Sequence, residues 1–199
     1  MTTENIAPLR TAESIFTDKH TAYRFTPEAV TDEQLARIYE LAKYTPTALN
    51  SQPLRITFVR SEAARARLLP LLAEGNRAKS ASAPVVAILA ADTDFHVHLP
   101  VVNPQSQGAR ERFAANDELR RAMATNNAWL AAGGFILAVR AIGLDAGPMG
   151  GVNAAGIDAE FFAGTSLRTI MVVNIGHVAD DGAFPRNPRL GFDQAVSLV

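Results

Sequence analysis

The chain has 199 residues, 48% of them hydrophobic, with a formal net charge of −1 and no cysteine. Such a length buries about 70% of its unfolded surface in one compact domain and is short for two, so residues 1–199 are expected to form one domain. The charge balance excludes a global attraction to nucleic acid or an anionic membrane, and the lack of cysteine excludes disulfides, thiolate nucleophiles, iron–sulfur clusters and thiolate zinc sites.

In chain order, the first ten residues carry Glu4 and no apolar core, so a secretory signal is not expected and a cytoplasmic location is. Thr11 to Phe16 reads as a short helix, followed by a polar, partly basic segment from Thr17 to Phe25. Thr31 and Gln34 match a capping box. Leu35, Ile38, Tyr39 and Ala42 mark the apolar face of the helix behind it. Thr45 to Pro53 is a loop by composition. Leu54, Ile56 and Phe58 alternate with Arg55 and Thr57, the pattern of a half-buried strand. Ser61 is placed to cap a helix through Leu72, and Gly75 to Lys79 leads into a helical turn. The apolar run from Pro84 to Ala91 predicts a strand covered on both faces. Residues 92–117 are the least patterned stretch, with His96, His98, Pro100 and Pro104. A connection of that length is a lid or a partly helical insertion.

The organising element is a long apolar helix from Leu119. One stripe carries Leu119, Met123, Asn126, Leu130, Gly133 and Leu137, and a second carries Thr125, Trp129, Ala132, Ile136 and Val139. Two apolar stripes predict burial on most sides. Gly133 and Gly134 each cost roughly 1 kcal/mol relative to alanine in a helix, which close packing of another element offsets. Asn126, Asn127 and Arg140 interrupt the run, leaving fewer apolar residues than the ~20 a membrane span needs. Gly143 is placed to stop the helix. The run Gly147-Pro148-Met149-Gly150-Gly151 then reads as a tight connection or as backbone presented to a ligand. Asn153 is placed to cap a helix stopped by Gly164, Thr169 to Ile175 predicts a third strand, and the chain from Phe184 reads as an arm with a final short helix. Strands separated by helices imply an α/β or α+β domain.

Several chemistries lack their residues. There is neither a G-x-G-x-x-G nor a P-loop pattern, and no G-x-S-x-G elbow. His96 and His98 have no third ligand at metal spacing, so solvated loop or pocket-lining roles fit them better. What remains is a set of anion-binding groups in loops, Lys19, His20, Thr21, Arg24, Lys79, Arg186 and Arg189, beside the amide-rich Asn50-Ser51-Gln52 and Asn76. Separately each reads as a solvated surface group; together they suit a phosphorylated, ring-bearing cofactor.

Five short runs in order, Lys19-His20-Thr21, Pro46 to Pro53, Asn76-x-x-Lys79, Gly147 to Gly151 and Arg186-x-x-Arg189, resemble those of the FMN-dependent nitroreductases. Within that family the runs Gly75 to Lys79, Gly143 to Met149 and Glu160 to Thr165 are most similar to the malonic semialdehyde reductase branch of pyrimidine breakdown. The resemblance implies an α+β nitroreductase-like fold, with a central mixed β-sheet flanked by helices, in an intertwined homodimer. It implies FMN as cofactor and NADH or NADPH as donor, with ping-pong hydride transfer through flavin N5. Lys19, His20, Thr21, Tyr23, Arg186 and Arg189 would surround the phosphate and ribityl chain. Asn76 and Lys79 would face the pyrimidine edge, and Pro148, Met149, Gly150 and Gly151 would lie along the ring, the last two offering N–H groups near N5. Pro46, Thr47, Ala48, Asn50 and Gln52 would come from the other subunit. The acceptor implied is malonic semialdehyde or a related small aldehyde, with two alternatives: a broad quinone or nitroaromatic reductase, and a flavin-binding protein without turnover. Arg110 reads as a solvated arginine or as the anchor of a carboxylated aldehyde. Four positions depart from the family pattern: Lys19 replaces arginine, Tyr23 a basic residue or asparagine, Ala48 a serine and Gly150 an acidic residue.

Overall fold

A computed structural model describes residues 10–199; the segment read as lacking a secretory signal lies almost wholly outside the described residues. The elements in order are α1 (Ala12–Thr17), α2 (Asp32–Ala42), β1 (Leu54–Val59), α3 (Glu62–Leu68), α4 (Glu74–Ser82), β2 (Val85–Asp92), α5 (Leu99–Val102), α6 (Ala109–Ala114), α7 (Asp117–Ala141), β3 (Asp145–Met149), α8 (Ala154–Phe161), β4 (Leu167–Gly176) and α9 (Phe192–Ala195). Side chains start the helices as the sequence indicates. Thr31 and Gln34 form the reciprocal capping box of α2, Ser61 caps α3 and Asn153 caps α8. The helix after Ser61 stops at Leu68, and a 3-10 turn over Leu69–Leu71 continues to Leu72.

The strands form one sheet in the order β1-β2-β4-β3, and all three pairings are antiparallel. Within the described chain this replaces the expected mixed sheet: each neighbouring pair is joined by a helix-containing connection long enough for a parallel crossover, yet each pairs antiparallel, so connection length permits parallel pairing without imposing it. β2 is buried at every position. Val85, Ala87 and Leu89 meet α2 and α7 on one face, while Val86, Ile88 and Ala90 meet α3, α8 and the segment around Ala22 and Phe25 on the other. A strand inside a three-layer sandwich therefore reads as a continuous apolar run.

α7 spans the sheet, burying Ala128, Ala131, Ala132, Phe135, Ala138 and Val139. It meets the length and composition test for a membrane span, contrary to the residue count above, and it lies within the fold against the sheet. Burial on most sides does not hold for one chain: Leu119, Trp129 and Leu130 are exposed. The sheet and α2 cover only one side of the helix, and Tyr39 of α2 is exposed as well. Gly134 is filled by close packing, since a Cβ there would run into the Thr45 side chain, whereas Gly133 faces open space. Gly143 ends the helix at φ 94°, in the region glycine tolerates best.

Residues 92–117 fold into α5, α6 and a 3-10 turn around Phe95, Leu99 and Phe113, which pack on Ala124 and Ala128 of α7. His96 is buried in this insertion rather than solvated, and His98 is exposed.

Candidate functional site

The polar segment before Phe25 owes its path to β3. The Ala22 N–H donates to the Ala146 carbonyl at 3.1 Å. A Cβ on Gly147 would collide with the Ala22 carbonyl, so only glycine lets the two backbones pass this closely. Lys19 Nζ sits 2.7 Å from Asp145 Oδ1 and donates to the Gly143 carbonyl at 3.1 Å. Asp145 Oδ2 accepts the Val178 N–H at 3.1 Å. Both partners of this ion pair are largely buried, with side-chain exposures of 10% and 7%.

The C-terminal arm zips onto the same segment. Tyr23 stacks on Phe184 with ring centroids 4.2 Å apart, and the Tyr23 hydroxyl donates to the Asp181 carbonyl at 2.6 Å. His20 Nδ1 lies 2.9 Å from the Phe184 carbonyl. Arg186 donates to the carbonyls of Thr17 and Lys19 at 2.6 and 3.0 Å, and Arg189 to those of Asn187 and Pro188.

These contacts enclose a cleft of about 470 Å³ lined by Lys19, His20, Thr21, Tyr23, Lys79, Arg140, Arg186 and Arg189, with Phe16 and Phe184 as apolar wall. The structure thus assembles residues that lie far apart in the sequence. Among the described residues five permanent cations and no carboxylate line the cleft, a donor set that suits a phosphate-bearing anion. Lys19 gives two of its three donors to the protein. Arg140 was not among the expected residues; the signal was a lone cation in an apolar helix, read only as an interruption. Burial, then the nearby Arg186, lowers its pKa, opposed by Asp145.

Beside the cleft, Asn76 donates to the Gly151 carbonyl at 3.1 Å and accepts from Lys79 at 3.4 Å. The Ala73 N–H donates to the same carbonyl. That turns the Gly151 carbonyl inward and leaves Gly150 and Gly151 exposed, with N–H groups that meet no protein acceptor among the described residues. Pro148 sits on the edge strand β3, where its missing N–H breaks no ladder. Met149 is buried next to it.

The loop from Thr45 to Pro53 lies elsewhere. Leu49, Asn50 and Gln52 have φ of 57°, 51° and 43°, each an uncommon conformation costing about 1–3 kcal/mol. The loop is held by Asn127, which accepts the Ala48 N–H at 2.7 Å, by Thr47 Oγ1 accepting from Gln52, and by Asn50 donating to Val102. Pro46, Ala48 and Asn50 face outward. Thr47 and Gln52 line a separate cavity with Tyr39 and Arg55, sharing no residue with the cationic cleft. Arg110 is exposed on α6 and lines neither cavity.

The model of the nitroreductase family matches residues 17–177. The chain belongs to the nitroreductase family. A protein of Leptothrix cholodnii carrying the provisional name NADH dehydrogenase/NAD(P)H nitroreductase is 53% identical over 185 residues, 93% of this chain and 94% of its own length. Two solved structures share the nitroreductase fold. One is a provisionally named nitroreductase of Exiguobacterium sibiricum in complex with FMN, with 20% identity and TM-score 0.81 over 98% of this chain and 100% of that one. The other is a provisionally named NAD(P)H:FMN oxidoreductase of Staphylococcus epidermidis, with 16% identity and TM-score 0.82 over 98% and 99%.

Proposed function

We propose that the protein is a cytoplasmic, FMN-dependent NAD(P)H oxidoreductase, active as a homodimer. The observation that carries this is the cleft itself: five cations with no carboxylate, beside two exposed glycine amides. FMN, when bound, supplies a hydride carrier that serves donor and acceptor in turn. Lys19, His20, Thr21, Tyr23, Arg186 and Arg189 would hold its phosphate and ribityl chain, and Asn76 and Lys79 its pyrimidine edge. Gly150 and Gly151 give a wall without side chains, where their exposed N–H groups would face the ring. The outward-facing Pro46, Ala48 and Asn50, with Thr47 and Gln52 in the separate cavity, lie apart from the cleft of their own chain. Their natural place is the site of a second copy, which makes each site a product of two chains.

For the acceptor, we favour malonic semialdehyde or a related small aldehyde, on the similarity of the three runs noted above. The second reading is a broad nitroaromatic or quinone reductase, its nitro substrates favoured by the nitroreductase names of the relatives. An anaerobic titration of the yellow protein with NADH and NADPH, followed by reoxidation with aldehydes, menadione and nitrofurazone, tests donor and acceptor together. We expect bleaching by at least one nicotinamide and parallel double-reciprocal lines. Intersecting lines would remove the alternation of donor and acceptor, and a yellow protein that neither nicotinamide bleaches would be a flavin carrier. For a carboxylated aldehyde, Arg110→Ala is expected to raise KM more than for menadione; equal effects reject Arg110 as anchor.

A further inference from the structure

We infer that Arg140 is the buried anchor of the phosphate group in the cationic cleft, an assignment that rests on the flavin reading above. Arg140 stands in the last turn of α7 and reaches the cleft lining beside Arg186. Among the described residues its Nε is enclosed and meets no acceptor, and its hydrogen bond there, to the Ile15 carbonyl, is stretched to 3.5 Å.

Three of the other four cleft cations are better satisfied, and the fourth, Lys79, makes a 3.4 Å contact with Asn76 but leaves no enclosed donor among the described residues. Lys19 is paired with Asp145, Arg186 holds two carbonyls and Arg189 holds two more. A guanidinium with an orphaned N–H, partly desolvated and beside a like charge, is the group that gains most from an incoming dianion. Its planar fork matches two phosphate oxygens at once, which an ammonium does not. The C-terminus of α7 favours a cation here. That preference is met equally by a solvated side chain, so it leaves the enclosed Nε unexplained. Arg140 is rooted on α7, a helix packed across the sheet.

The test compares FMN with riboflavin, which differ only by the phosphate, by fluorescence titration of apoprotein. For Arg140→Met the ratio of riboflavin Kd to FMN Kd is expected to fall about tenfold or more, with riboflavin affinity unchanged. Arg140→Lys, which keeps the charge without the fork, is expected to fall between the two and guards against a misfolded methionine variant. A ratio within threefold of wild type, or equal losses for both flavins, overturns the assignment. A wild-type protein that binds neither flavin overturns the flavin reading instead. Inorganic phosphate then decides Arg140 by itself: it is expected to raise the melting temperature of wild type but not of Arg140→Met, and equal shifts overturn the assignment.

Discussion

Asn127, buried in the middle of α7, accepts the backbone N–H of Ala48 at 2.7 Å, while its own amide donates to the Met123 carbonyl at 2.9 Å. One side chain thereby ties the core helix to a loop with three left-handed non-glycine residues. Asn127→Ala removes the acceptor and leaves a partly buried N–H unpaired, at about 1–3 kcal/mol. For a chain of this size that lowers the melting temperature by roughly 2–4 °C per kcal/mol. Amide exchange should accelerate over residues 47–52 while β2 keeps its protection. Unchanged exchange in the loop would show that Asn127 does not hold it.

Lys19 illustrates how a residue expected at the phosphate acquires a second duty. Its pairing with Asp145 is buried on both sides, so removing one partner strands a charge at roughly 3–5 kcal/mol. Lys19→Met is expected to lower the urea midpoint strongly, and Lys19→Met with Asp145→Asn to recover part of the loss. If the double variant is as unstable as the sum of the two singles, the two groups are not coupled.

Much of this fold was legible because local signals and burial agree. Thr31, Ser61 and Asn153 cap the helices their spacing indicates, and the unbroken run of β2 matches burial on both faces. The site was readable only as scattered residues. Lys19, His20, Tyr23, Arg186 and Arg189 converge because the arm pairs with the segment beside β3, a contact across more than 150 residues that no local pattern encodes. Arg140 stayed hidden because a cation in an apolar helix looks like an interruption. His96 was misread because the insertion builds its own small core from Phe95, Leu99 and Phe113, which are spaced without a period.

The outward stripe of α7 carries the proposed pairing of two chains. Trp129 and Leu130 are 45% and 54% exposed, and Gly133 beside them has open space above it. An apolar stripe on a core helix is a surface suited to a second copy. Leu130→Glu should convert a dimer in sedimentation to a monomer and reduce FMN retention with it, since half of each site would be lost. A wild-type monomer that binds FMN, or a glutamate variant that remains dimeric, would overturn the shared site.

His96 sets a pH dependence of stability. Burial, and secondarily the charge of Arg120, lower its pKa, with Arg110 acting the same way and Asp94 and Asp92 opposing. Its Nδ1 is enclosed without a partner among the described residues. In the unfolded chain the imidazole takes a proton near its ordinary value of about 6.5, whereas the folded state resists protonation to a lower pH. Below about pH 6.5 the unfolded state therefore binds more protons, and stability falls as the solution is acidified through that window. Above it the residue contributes no slope. Urea unfolding between about pH 7.5 and pH 5 should show a steeper loss for wild type than for His96→Gln, with the curves parallel above the window. Parallel curves throughout would mean that His96 titrates alike in both states, and that the enclosed imidazole is not what makes the insertion acid-sensitive.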